Sequence, residues 1–222
     1  MAVLTKSSVL RDILPSTDAV RTARRRLHAK ALFTVAVFAG SYWLLVFADV
    51  TATVRVLAAV ALVHALLATA TGIMHDANHG SFARSRRVNQ VLAYSADVLG
   101  ASSWLWRRNH NVAHHHYTNV SGMDHDIALA PFARLAPDQE HRRWYRFQHV
   151  YLWFLYGFLT LKWLCFGDFQ SWWVNRDDLR QRSRSYRRDV TLMFAGKIVH
   201  CGWALVVPLL WHPWQVVVAV YL

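Results

Sequence analysis

Two long uncharged apolar runs constrain this chain more than any other feature. Ala31 to Ala48 holds 18 residues without a single Asp, Glu, Lys or Arg, and Val56 to Met74 repeats the pattern after a short break around Asp49 and Arg55. At 1.5 Å per residue the first run covers about 27 Å, enough to cross a hydrocarbon core. Lipid offers no hydrogen bonds to the backbone, so such runs fold as helices, and the pair reads as a helical hairpin across a membrane. A third run, Val190 to Leu210, carries Lys197 as its only charge; Pro208 and Pro213 then mark a turn, and Trp214 to Leu222 begins a fourth. Those last residues are too few to span, so the chain reads as the amino-terminal piece of something longer. The first run is expected to be a span and not a signal peptide, because the basic cluster Arg21, Arg24, Arg25, Arg26 and Lys30 lies far from the start and a second apolar run follows at once.

Charge fixes the orientation. The formal net charge is +12 although 55% of residues are hydrophobic, a combination that fits neither a soluble enzyme nor a disordered tail. Residues 1–30 hold seven Lys and Arg and residues 75–189 hold sixteen, which leaves only Arg55 and Lys197 elsewhere. With spans at 31–48, 56–74 and 190–210, nearly all basic side chains fall on one face. By the positive-inside rule that face is cytosolic, and it includes the amino-terminal segment 1–30. A remaining aromatic-rich run, Val150 to Phe166, would reverse this arrangement if it crossed, so it is expected to lie at the interface. Membrane orientation accounts for the basic excess, and no nucleic-acid motif is present. Cys165 and Cys201 stand alone in apolar runs, where small buried side chains are expected and neither a disulfide framework nor a thiolate metal site is possible.

The histidines carry the chemistry. His75 and His79 frame His-Asp-Ala-Asn-His directly after the second run, and His110, His114 and His115 lie in His-Asn-Val-Ala-His-His on the same face. With 13 histidines in the chain, an HxxxHH pattern is expected by chance only about 0.04 times. Residues four apart share a helix face with Cβ atoms about 6 Å apart, so paired imidazoles can aim at one ion. On α-helical spacing His115 points about 100° from His114 and serves a second ion nearby. Neutral imidazole suits Fe, Zn, Cu and Ni, and five such ligands exceed what one zinc uses; more than one metal follows. A zinc protease is excluded, since no His-Glu-x-x-His occurs.

At these residues a family resemblance enters. His75-Asp-Ala-Asn-His-Gly-Ser-Phe82 resembles the first histidine box of membrane fatty acid desaturases. Trp106-Arg-Arg-Asn-His-Asn-Val-Ala-His-His-His-Tyr-Thr-Asn119, followed by Gly122-Met-Asp-His-Asp126, resembles the second, in the form found in the acyl-CoA and acyl-lipid branch with front-end and linoleoyl-type enzymes. The likeness touches Arg146-Phe-Gln-His149 as well and covers roughly residues 40–222. It implies an all-α, polytopic four-span protein of which residues 31–222 form a partial desaturase domain. It also implies two iron ions held by histidines, O₂ as co-substrate, and a cis double bond introduced into an acyl chain on CoA or lipid. His75, His79, His110, His114 and His115 match the box ligands; His116 lies beyond the pattern. A third box, with a further histidine before it, is expected near the carboxyl end of the family and does not occur in this chain, which as it stands is expected to be inactive alone. The leading segment contains no His-Pro-Gly-Gly, so a separate ferredoxin or cytochrome system with its reductase is implied as electron donor.

Other polar residues have plainer expectations. Asp76, Asp124 and Asp126 are placed to accept the second N–H of the imidazoles. His64 lies about 16 Å up the helix from His75 and is expected to bridge helices, while Lys197 is expected to snorkel. Arg84, Arg86, Arg87, Arg107 and Arg108 are candidates for anionic lipid or a CoA phosphate, or for orientation alone. Two rival functions share the features: a membrane di-iron hydroxylase or ketolase, and a non-enzymatic metal-binding transporter. A transporter would line several spans with ionisable groups, whereas only His64, Lys197 and His200 lie within them.

Overall fold

The computed structural model describes residues 16–221, so the first fifteen residues of the expected amino-terminal segment lie outside the described residues, as does Leu222. Among those described, every regular element is helical. Helix α1, Thr17–Val46, opens on Ser16, whose side chain accepts the Ala19 N–H at 3.2 Å. It starts well before the apolar run, because nothing from Asp18 to Ala39 breaks a helix. Its basic first turns therefore stand clear of the segment long enough to cross lipid. Helix α2, Ala52–Asn78, is capped by Thr51 and stops at Gly80, whose φ of 73° few other residues adopt. It is α-helical to Ala68, π-helical over Thr69–Met74, and α-helical again over His75–Asn78.

Beyond α2 come α3 (Arg86–Ala93), α4 (Ser95–Val98) and α5 (Ser103–Arg107), the last prolonged by a π-helical stretch, Arg108–His114. An irregular region leads to α6 (Gln148–Gly157) and α7 (Leu159–Val174), then α8 (Arg176–Arg182), α9 (Tyr186–Leu209) and α10 (Trp214–Tyr221). Helices α1, α2 and α9 are long and apolar enough to cross a membrane. Their outer surfaces agree with that role: Leu32, Phe33, Leu57 and Ile198 are all exposed, as side chains facing lipid would be. The chain is an integral membrane protein.

Contacts along the long helices fix their relative directions. Leu45 and Val46 of α1 pack on Ala58 and Leu62 of α2, while at the other end Leu27 and Ala31 meet the cluster around Ile73 and Ala77, so the two run antiparallel. Helix α9 follows α1: Tyr42 donates its hydroxyl to the Trp203 carbonyl (2.6 Å), and the His212 ring bonds the Val46 carbonyl (3.1 Å). The start of α1, the end of α2 and the start of α9 thus share one end of the molecule. Met193 near the start of α9 is buried with Leu105 of α5 and Leu179 of α8, which draws the second histidine segment to that same end.

Four expectations change. The single interfacial helix over 150–166 is two helices, which with the turn Arg143–Phe147 before them are bent by 62° at Phe158, next to Gly157 with its low helix propensity. Lys197 does not snorkel: it is buried, and its Nζ donates to Asp168 and to the carbonyls of Gly100 (2.6 Å) and Trp163 (2.9 Å). This is possible because α9 packs closely on α4, where a Cβ on Gly196 would lie 2.8 Å from that of Asp97. His64 bridges no helices; its Nδ1 bonds the Val60 carbonyl one turn back, on an exposed face. Cys165 is exposed and Cys201 half-buried, because the faces they occupy are turned away from the small core.

Candidate metal centre

Both histidine segments sit where a helix changes its winding. In each, a backbone bond spanning five residues ends on a box histidine: His75 N–H donates to the Ala70 carbonyl, and His115 N–H to that of His110. On a regular α-helix His115 would stand about 140° around the axis from His110. The wider π turn brings it back, so the His110 ring lies 5.0 Å from that of His114 and 4.9 Å from that of His115. The reading from α-helical spacing, with His115 turned away to its own ion, does not describe this arrangement.

The rings from the two segments meet. His75 and His79 are 4.5 Å apart, His110 lies 5.3 Å from His75 and 5.5 Å from His79, and His115 lies 4.9 Å from His79. Ring nitrogens of His75, His79 and His110 fall within 4.8 Å of one another; so do donor atoms of His110, His114 and Asp126. His110 belongs to both groups and stands at the centre. His116 is outside, exposed and bonded to the Val112 carbonyl at 2.7 Å.

Each aspartate singled out in the sequence meets an imidazole. His75 Nδ1 lies 3.2 Å from Asp76 Oδ1, His110 Nδ1 3.1 Å from Asp126 Oδ2, and His114 Nδ1 3.1 and 3.0 Å from the two oxygens of Asp124. Carboxylates on Nδ1 select the tautomer whose Nε2 lone pair is free. Asp124 is itself buried, and it accepts the N–H groups of Asn119 (2.8 Å) and Asp126 (2.9 Å). Burial alone would raise its pKa; those two N–H groups and His114 outweigh it and hold the carboxyl below its ordinary range. The return of the chain depends on Asn119, which ends the helical turn at a φ of 62°.

Imidazole basicity is tuned in the direction metal binding needs. Loss of hydration among the packed rings, then repulsion from His75, His115 and His110, lowers the His79 pKa; burial likewise lowers that of His110 against the pull of Asp126. Neutral rings are ligands and charged ones are not. The Nε2 of His110 is buried and has no hydrogen-bond partner among the described residues. An unpaired buried nitrogen at the meeting point of two donor groups is what a metal ion would satisfy, and an imidazole-rich set with oxygen alongside suits iron.

A family model described as fatty acid desaturase matches residues 51–222. The chain belongs to the fatty acid desaturase family. It is 38% identical over 140 residues to the sn-1 linoleoyl-lipid 6-desaturase of Synechocystis sp., covering 63% of this chain and 39% of that protein. It is 32% identical over 181 residues to the acyl-lipid (8-3)-desaturase of Physcomitrium patens, covering 81% of this chain and 38% of the relative. The matched region thus spans under two-fifths of each of these relatives. No solved structure matches.

Four residues of this desaturase-family chain join its two boxes, a role that sequence reasoning assigned to none of them. Asn78, buried within the first box, accepts from Arg107 Nη1 (3.2 Å) on its side chain and from Asn111 Nδ2 (3.1 Å) on its carbonyl. The Trp106 ring stacks on His110 at 4.3 Å and closes the side toward His75 and His79. Arg107 and Arg108, read as candidates for a phosphate, are engaged internally, Arg108 with Asp178 at 2.7 Å. Only their place inside the histidine motifs hinted at a role.

Proposed function

We propose that the complete protein is an O₂-dependent di-iron fatty acid desaturase that introduces a cis double bond into a lipid- or CoA-borne acyl chain. The observation that carries the reading is the convergence of five imidazoles from two separate segments around His110. His75, His79, His110, His114 and His115 would hold the metal, with Asp76, Asp124 and Asp126 orienting them; further ligands belong to the part of the full-length relatives that this chain does not match. Iron held there would supply, with O₂, the oxidising power needed to remove hydrogen from an unactivated methylene. The chain's own contribution is placement. Trp106 stacks on His110 and covers one side of the cluster, and the site lies at the common end of α1, α2 and α9, where an acyl chain can arrive from lipid.

Reducing O₂ to two waters takes four electrons and the acyl chain yields two, so an external donor, a ferredoxin or cytochrome system, provides the rest. The names of the relatives favour an acyl-lipid over an acyl-CoA. The decisive experiment expresses the full-length protein and measures iron and product fatty acids together. About two irons per chain are expected, and His114→Ala is expected to abolish both iron retention and the new double bond. Full activity in that variant would refute the proposal; a hydroxylated or keto product would move the protein to the rival reaction within the same fold.

A further inference from the structure

The first turns of α1 and the loop after α2 enclose a cleft of about 350 Å³ lined by Val20, Arg21, Arg24, Arg25, His28 and Arg84. Four guanidinium groups share it. Arg21 lies 3.5 Å from Asp18 in a largely exposed pair, and among the described residues no carboxylate lies within ion-pair distance of Arg24, Arg25 or Arg84. Arg24 Nη1 is buried and has no hydrogen-bond partner among the described residues. Burying a guanidinium N–H unsatisfied is costly, and gathering like charges adds to that cost. Orientation of the chain in a membrane needs basic residues near the lipid, but it does not need them gathered around a concavity.

We propose that this cleft binds a phosphate group of a membrane-surface acyl carrier, either a phospholipid headgroup or the phosphates of CoA. Planar guanidinium forks match phosphate oxygens in pairs, which a scattered set of lysines does not. The cleft is open to solvent, and its volume is enough to seat a small polar group. It lies just ahead of the apolar run of α1 and is tied to the candidate metal centre: the His28 ring stacks on Phe82 (5.2 Å) and its Nε2 bonds the Phe82 carbonyl (3.1 Å). Phe82 in turn is buried against Ala77, between His75 and His79. A carrier held here by its phosphate has its acyl chain beside the box-bearing end of α2. That last step rests on the desaturase reading; phosphate binding does not.

The test uses the full-length protein in a phosphate-free maltoside detergent, with affinity measured by thermophoresis for short-chain phosphatidylglycerol, CoA and inorganic phosphate. Arg24→Gln with Arg84→Gln should weaken the preferred probe about tenfold or more, whereas Arg86→Gln with Arg87→Gln, an equal loss of charge on exposed residues outside the cleft, should cost less than about twofold. Arg24→Lys with Arg84→Lys keeps charge and fold but loses the fork, and an intermediate loss is expected. Whichever of lipid and CoA binds more tightly, and is lost with the cleft arginines, identifies the carrier. Equal losses in the cleft and control variants, no binding of any probe, or weakened capture of an acidic electron-donor protein alone would overturn the proposal. Iron and turnover do not enter this assay, so its failure leaves the di-iron reading untouched.

Discussion

Asp124 shows how much of the candidate centre depends on one side chain. Its carboxylate is fully enclosed, and it holds the His114 ring and the N–H groups of Asn119 and Asp126 at once. Asp124→Asn keeps the shape but loses the charge and presents an amide N–H to a site built of donors. Partners that orient metal ligands are worth about 10–100-fold in metal affinity, and that loss is expected here. Iron titration of the full-length variant, read by its optical spectrum, checks it; unchanged affinity would mean that Asp124 serves only the loop. At this scale the sequence spoke clearly about residue type. Thirteen histidines are too many to ignore, and the spacing of five of them named the cluster. It could not reveal that Asn78, Arg107 and Asn111 clasp the boxes together, because an amide pairing across 33 residues leaves no local pattern.

The helices owe their positions to buried polar contacts as much as to apolar packing. Asp168 accepts the Ser102 N–H (2.7 Å) just where α5 begins, while pairing with Lys197 of α9. Ser102 also caps α5, accepting from Leu105. One ion pair therefore connects a span to the start of the helix that carries His110 and His114. Breaking a buried pair by removing one partner typically costs 3–5 kcal/mol, so Lys197→Met should lower the thermal midpoint sharply, with a cost of about that size. Adding Asp168→Asn should recover part of the loss by removing the stranded charge; a midpoint unchanged in the single variant would show the pair to be solvated. The long elements were legible from the apolar runs, whereas the starts at Thr51 and Ser102 are set by capping side chains seen in the structure. The π turns were not: hydrophobic periodicity assumes a constant pitch, and winding changes only when tertiary contacts stabilise it.

Taken whole, the described residues form a small bundle with an apolar exterior, and the basic first turns of α1 and both histidine segments lie at one end. If that end is cytosolic, as the charge distribution implies, a reporter fused after Arg188 will read as cytoplasmic, and an external reading would reverse the orientation. On that topology the α6–α7 segment, bent by 62° at Phe158, would enter and leave on the same side. By itself the sequence determined the membrane class, the number of long spans, the family resemblance and the identity of the imidazoles, because each depends on composition or on spacing within one stretch of chain. Only the tertiary structure decided that the two boxes share a centre, that Lys197 is paired instead of snorkelling, and that the arginines of α1 and Arg84 enclose one cleft. Those facts depend on segments tens of residues apart meeting in space, and such meetings are set by the packing of the whole bundle.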